Sequence, residues 1–135
     1  MIDNNIKNDI KCIIIGNLFF NIICIIITII MSLLNIINSK LCIYIIIGLI
    51  IGFIISIFYI IHMANKIDEA LYFDNESNVK SQMVKNNIIR YILFVVVVIH
   101  VSKFINPYMG LAIIVGFYGM KIGAYTTPFL KKYIK

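Results

Sequence analysis

Residues 12–34 and 41–61 form two long stretches without a single charged side chain. Crossing the hydrocarbon core of a bilayer takes about 20 predominantly apolar residues, so each stretch is long enough to span. A water-soluble fold could not hide both, because too few charges remain to build its surface. The chain is 61% hydrophobic and 13% charged, with a mean hydropathy of +0.99, whereas soluble domains are about half apolar and a quarter charged. Inside a bilayer only helices and closed barrels satisfy every backbone polar group. The apolar runs are continuous rather than alternating, which selects helices. Isoleucine supplies 36 residues, and lysine 11 of the 12 basic ones; a bias this general removes isoleucine as evidence for strands.

Two further stretches, 88–105 and 108–127, complete a set of four spans. The third is the weakest, with His100, Ser102 and Lys103 toward its end, and the fourth carries Lys121 in its interior. Lysine and arginine in the flanks set orientation. Lys7, Lys11, Lys66, Lys80, Lys85, Arg90, Lys131, Lys132 and Lys135 fall on one side, against Lys40 and Lys103 on the other. The expected architecture is an all-α integral membrane protein, one membrane domain over 1–135, with both termini in the cytoplasm. Between the second and third spans, 62–87 reads as a cytoplasmic helical hairpin. Met63, Ile67, Ala70 and Leu71 recur at helical spacing, "FDNES" makes a turn over 74–77, and Val79 and Met83 resume the spacing. The first apolar stretch is too long for a signal-peptide core and lacks a small-residue cleavage site.

The spans carry packing signals rather than chemistry. Asn17, Asn21, Cys24, Thr28 and Asn35 follow one another at spacings of 4, 3, 4 and 7, a polar stripe that must face protein because amides in hydrocarbon need partners. Gly48, Gly52 and Ser56 form a small-residue ridge on the second span. Gly119, Gly123 and Thr127 do the same on the fourth, with Ala112 and Gly116 on an adjoining track, and these two helices are the natural pair. Cys12, Cys24 and Cys42 have no spacing that suggests a zinc or redox site. No nucleophile–base pair, metal cluster or phosphate loop is evident, so the chain reads as a non-enzyme without a cofactor. No basic patch interleaves with aromatics, which argues against nucleic acid. No carboxylate lies within a span, which argues against a proton-coupled exporter. The basic flanks fit anionic lipid headgroups.

The segments "IGLIIGFIISIFYIIHMANKIDEAL", "IRYILF", "NPY" and "GFYGMKIGAYTTPFL" together resemble the ATP synthase protein I family, encoded beside bacterial F-type ATP synthases. The resemblance runs from Gly48 to Leu130 and is carried by Gly48, Gly52, Ser56, Arg90, Tyr91, Lys121, Tyr125 and Pro128. The family often has an asparagine after the serine of the ridge, where this chain reads Ile57-Phe58-Tyr59. The resemblance implies a multi-pass protein of the bacterial plasma (inner) membrane that assists assembly or stability of the rotor ring. Its partners would be c subunits or other subunits of the membrane sector. The residues expected to meet a partner are Gly48, Gly52, Ser56, Arg90, Gly116, Gly119, Lys121, Gly123 and Tyr125. A role beside a magnesium (Mg2+) transporter or channel, and a holin-like membrane protein, are the alternatives. Lys121 itself has two readings: extension toward lipid phosphate, or retention inside the bundle by Tyr125, Asn17 or Asn21, from where it would offer its charge to a partner's acid.

Overall fold

The computed structural model describes residues 4–71 and 76–132. Four helices follow in order: α1 (Asn4–Leu33), α2 (Ser39–Leu71), α3 (Glu76–Phe104) and α4 (Pro107–Lys131). Each contains a stretch long and apolar enough to cross a membrane: Lys7–Leu33, Ser39–Lys66, Asn87–Phe104 and Pro107–Leu130. The described residues contain no strand. α2 continues five residues past its apolar stretch to Leu71, and α3 starts at Glu76, eleven residues before its own. Of the turn expected at 74–77, residues 74 and 75 lie outside the described residues and residues 76 and 77 already belong to α3; the side chains of Asp68, Glu69, Asp74 and Glu76 also lie outside them.

Local chemistry sets the helix ends. α1 stops because Asn35 takes a left-handed backbone conformation, φ 57°, which asparagine tolerates better than most side chains. The Ile36 N–H then donates to the Met31 carbonyl at 3.1 Å and the Asn35 N–H to the Ser32 carbonyl at 3.1 Å, the paired bonds of a Schellman cap. Asn35 therefore ends the polar stripe as a helix cap rather than extending it. α4 begins with Asn106, whose side-chain oxygen accepts from the Tyr108 N–H at 2.9 Å, and with Pro107 at the first helical position, where its missing N–H costs nothing.

The helices do not pack equally. The most extensive contact is α2 on α4, followed by α1 on α4 and then α1 on α2. α3 leans on α4 and barely touches α2, and no residue in its apolar stretch is buried. α4 is therefore the central helix, with α1 and α2 tightly set against it and α3 attached at its side.

Candidate functional site

One track of small residues on α4 holds the bundle together. Ala112, Gly116, Gly119 and Gly123 succeed one another at spacings of 4, 3 and 4 and are all buried. α2 seats on the first half of this track. A Cβ added to Gly48 would lie 2.7 Å from the Ala112 Cβ and 2.6 Å from the Met109 carbonyl oxygen. One added to Gly52 would lie 3.1 Å from the Gly116 Cα. α1 seats on the second half, where a Cβ on Gly16 would come within 2.7 Å of the Gly123 Cα and one on Gly123 within 2.9 Å of the Asn17 N. Backbone meets backbone at all these points, the close approach that small residues permit in membranes. The expected α2–α4 pairing is present, and Gly48, Gly52, Gly116, Gly119 and Gly123 are all consumed inside the chain. A partner could reach them only by opening the bundle.

Polar groups occupy the point where α1, α2 and α4 meet. Asn17 and Ser56 are both 0% exposed, and the Asn17 side-chain amide donates to the Ser56 hydroxyl oxygen. That hydroxyl donates to the Phe53 carbonyl at 2.7 Å. One turn on, the Asn21 amide donates to the Asn17 backbone and side-chain oxygens, both at 2.9 Å, and to the Gly116 carbonyl at 3.4 Å. The stripe on α1 thus faces protein at Asn17, Asn21 and Thr28, all buried, with Cys24 half-buried beside them. Thr28 turns its hydroxyl back to the Cys24 carbonyl at 2.8 Å. The network links three helices of this chain, and Ser56 belongs to it. Among the described residues no three His, Cys, Asp or Glu side chains lie close enough to hold a metal ion.

Lys121 is not in that interior. It is exposed, and its Nζ lies 4.7 Å from the centre of the Tyr118 ring, a cation–π distance. Neither Asn17 nor Asn21 holds it, because both asparagines are buried against α2 and the glycine track while Lys121 faces outward. The apolar stretch of α4 ends at Leu130, nine residues on, so Lys121 lies about 13 Å inside that end at 1.5 Å per residue. Tyr125, one turn away, is 81% exposed.

Lys121 flanks a second track that sequence reading missed. Leu111, Val115, Tyr118, Ile122, Tyr125 and Phe129 are all exposed and recur at spacings of 4, 3, 4, 3 and 4, on a different face of α4 from the glycine track. This is the spacing of a coiled-coil seam. Lipid accounts for an outward row of Leu, Val and Ile. The row also holds two tyrosines, with the exposed Lys121 at its side. The spacing itself is visible in the sequence; the inward glycines on the same helix drew attention from it.

Arg90 stands elsewhere, at the α2–α3 boundary. Its guanidinium contacts the His62 Nδ1 and lies 5.5 Å from the centre of the Tyr59 ring. Tyr59 donates to the Asn87 side-chain oxygen at 3.1 Å and meets Tyr91 and Phe117 edge-on or tilted, at 6.1 and 5.6 Å. The expected partner-binding residues therefore separate into three places: buried glycines and Ser56, the outer face of α4, and the Arg90 cluster.

The family model described as ATP synthase I chain matches residues 18–118. The match reaches back into α1, where the sequence resemblance had only hydrophobicity to offer, and stops before Gly119, Lys121, Gly123 and Tyr125. No curated protein and no solved structure matches the chain.

Proposed function

We propose, because the chain belongs to the ATP synthase I chain family, that it is a membrane-embedded assembly or stability factor of the F-type ATP synthase rotor. The site we assign to this role is the outer face of α4. The observation that carries it is the exposed row Tyr118, Ile122, Tyr125 with Lys121 at its side, an amphipathic seam left uncovered by the other helices among the described residues. A helix of the membrane sector laid along it would set apolar knobs between the large side chains. Lys121 would meet an acidic residue of that helix at membrane depth, where a paired charge is far less costly than a lone one. The c subunit, with its carboxylate within the membrane, is the partner this chemistry suits. The buried glycines contribute by fixing α4 rigidly against α1 and α2, so that the seam is presented straight.

The protein on this reading sits in the bacterial plasma membrane, with both termini and the 62–87 segment in the cytoplasm, as the basic flanks favour. Anionic lipids surround those flanks, and the role is not enzymatic.

Rotor-ring yield tests the proposal, measured at equal expression with the wild type, Lys121→Met and Lys121→Arg. The expected outcome is a lower yield with methionine and recovery with arginine. Equal yields from all three, or normal yield without the protein at all, would overturn it.

A further inference from the structure

α3 makes few close backbone approaches to α2, and between the two helices, beside Arg90, lies a groove of about 410 Å³. Volumes of ~300–1,000 Å³ hold small ligands. The lining has two chemically distinct ends. At one end are His62, Tyr59 and Arg90; toward the other are Ile55 on α2 and Val97 on α3, with Phe117 of α4 behind.

The ends correspond to different depths in a bilayer. Arg90 lies three residues inside the start of its apolar stretch at Asn87, and His62 four residues before the end of its own at Lys66. At 1.5 Å per residue both are about 4–6 Å inside the boundary of the apolar zone, within side-chain reach of the ester and phosphate groups. Val97 is seven residues beyond Arg90 and Ile55 seven before His62. The apolar lining therefore descends about 10 Å into hydrocarbon along both walls.

The polar end has donor capacity left. Arginine only donates, so the contact between Arg90 and the His62 Nδ1 makes that nitrogen the acceptor and leaves Nε2–H as a further donor. Of the five guanidinium N–H groups, one is used there and Tyr59 engages the guanidinium as well, which leaves further donors. The Tyr59 ring stacked under the guanidinium and the Tyr59–Asn87 bond hold the cation at the mouth of the groove.

We infer that this groove is a binding site for an anionic phospholipid, its phosphate on Arg90 and His62 and one acyl chain between Ile55, Phe58, Leu93 and Val97. Charge complementarity at the mouth and an apolar wall directly behind it fit a phospholipid, which brings a phosphate and an acyl chain in one molecule. The site is separate from the outer face of α4 and does not depend on the rotor reading.

Native mass spectrometry of the full chain in non-ionic detergent tests it, with phosphatidylglycerol and phosphatidylcholine of identical acyl chains as probes. Wild type is expected to retain phosphatidylglycerol preferentially. Arg90→Gln should weaken that retention about tenfold, the loss of a hydrogen bond to a charged group, and should weaken phosphatidylcholine, whose phosphate charge is offset by its choline cation, by less, so that the preference between the two lipids shrinks. Val97→Phe, which fills the apolar wall, should weaken both lipids. Lys103→Gln, at the far end of α3, should change neither. Circular dichroism keeps these variants comparable by confirming retained helix. Equal retention of the two lipids by wild type, undiminished phosphatidylglycerol binding in Arg90→Gln and Val97→Phe, or competition by inorganic phosphate alone would each overturn the lipid assignment.

Discussion

Replacing Gly52 with alanine adds one methyl group at the tightest point between α2 and α4. That carbon would collide with the Ile113 carbonyl oxygen and come within 3.0 Å of the Phe117 N and 3.1 Å of the Gly116 Cα. All three are backbone atoms of α4, so no rotamer change relieves the contact and the helices must part. Overpacking of this kind costs about 1–3 kcal/mol, a factor of about 5–150 in the equilibrium between folded and unfolded bundle. Gly110→Ala is the matched comparison. There the new carbon meets first the Ser102 hydroxyl, a side chain that can rotate away, so the expected cost is under about 1 kcal/mol, and pairing it with Ser102→Gly should remove most of it. Reversible unfolding in mixed micelles, followed by circular dichroism, measures both. Gly52→Ala within about 0.5 kcal/mol of wild type, or no less tolerated than Gly110→Ala, would refute the assignment of Gly52 to a backbone-to-backbone contact.

Asn17→Ala and Ser56→Ala break the same bond across α1 and α2. A double-mutant cycle in the same unfolding assay should give a coupling of about 0.6–1.7 kcal/mol, and additive effects would remove the network from the account of stability. Cysteine placed at Ser39 should react with a membrane-impermeant reagent applied from outside, and cysteine at Ser81 should not; the reverse pattern would invert the proposed orientation. Asn106→Ala removes the acceptor for the Tyr108 N–H and should cost about 1 kcal/mol, with Asn106→Asp close to wild type; equal losses from both would argue against a capping role.

The four helices were legible because their evidence is local: long, continuous apolar runs with almost no charge. The polar stripe was legible as far as Thr28, since an amide in hydrocarbon must face protein. It misled at Asn35, where the same residue type serves a left-handed cap instead. The glycine ridges pointed correctly to the α2–α4 contact, yet spacing alone cannot tell a ridge that packs internally from one that waits for another chain. That depends on the other helices, and here α1 and α2 occupy the whole track. Lys121 shows the same limit. Its position in the helix was plain, but which way it faces follows from Gly119 and Gly123 turning the opposite side of α4 inward. Arg90 with His62 was the least legible pair, twenty-eight residues apart and brought together only by the antiparallel run of α2 and α3.

Site-specific photo-crosslinking in cells that assemble the F-type ATP synthase tests the central proposal most directly. A photoreactive residue at Tyr118 or Tyr125, on the outer face of α4, is compared with one at Leu49, which is 2% exposed between α2 and α4. The proposal predicts an adduct with the c subunit from positions 118 and 125 and none from 49. A c-subunit adduct absent from both outer positions, in cells with normal rotor assembly and normal expression of the variants, would contradict it.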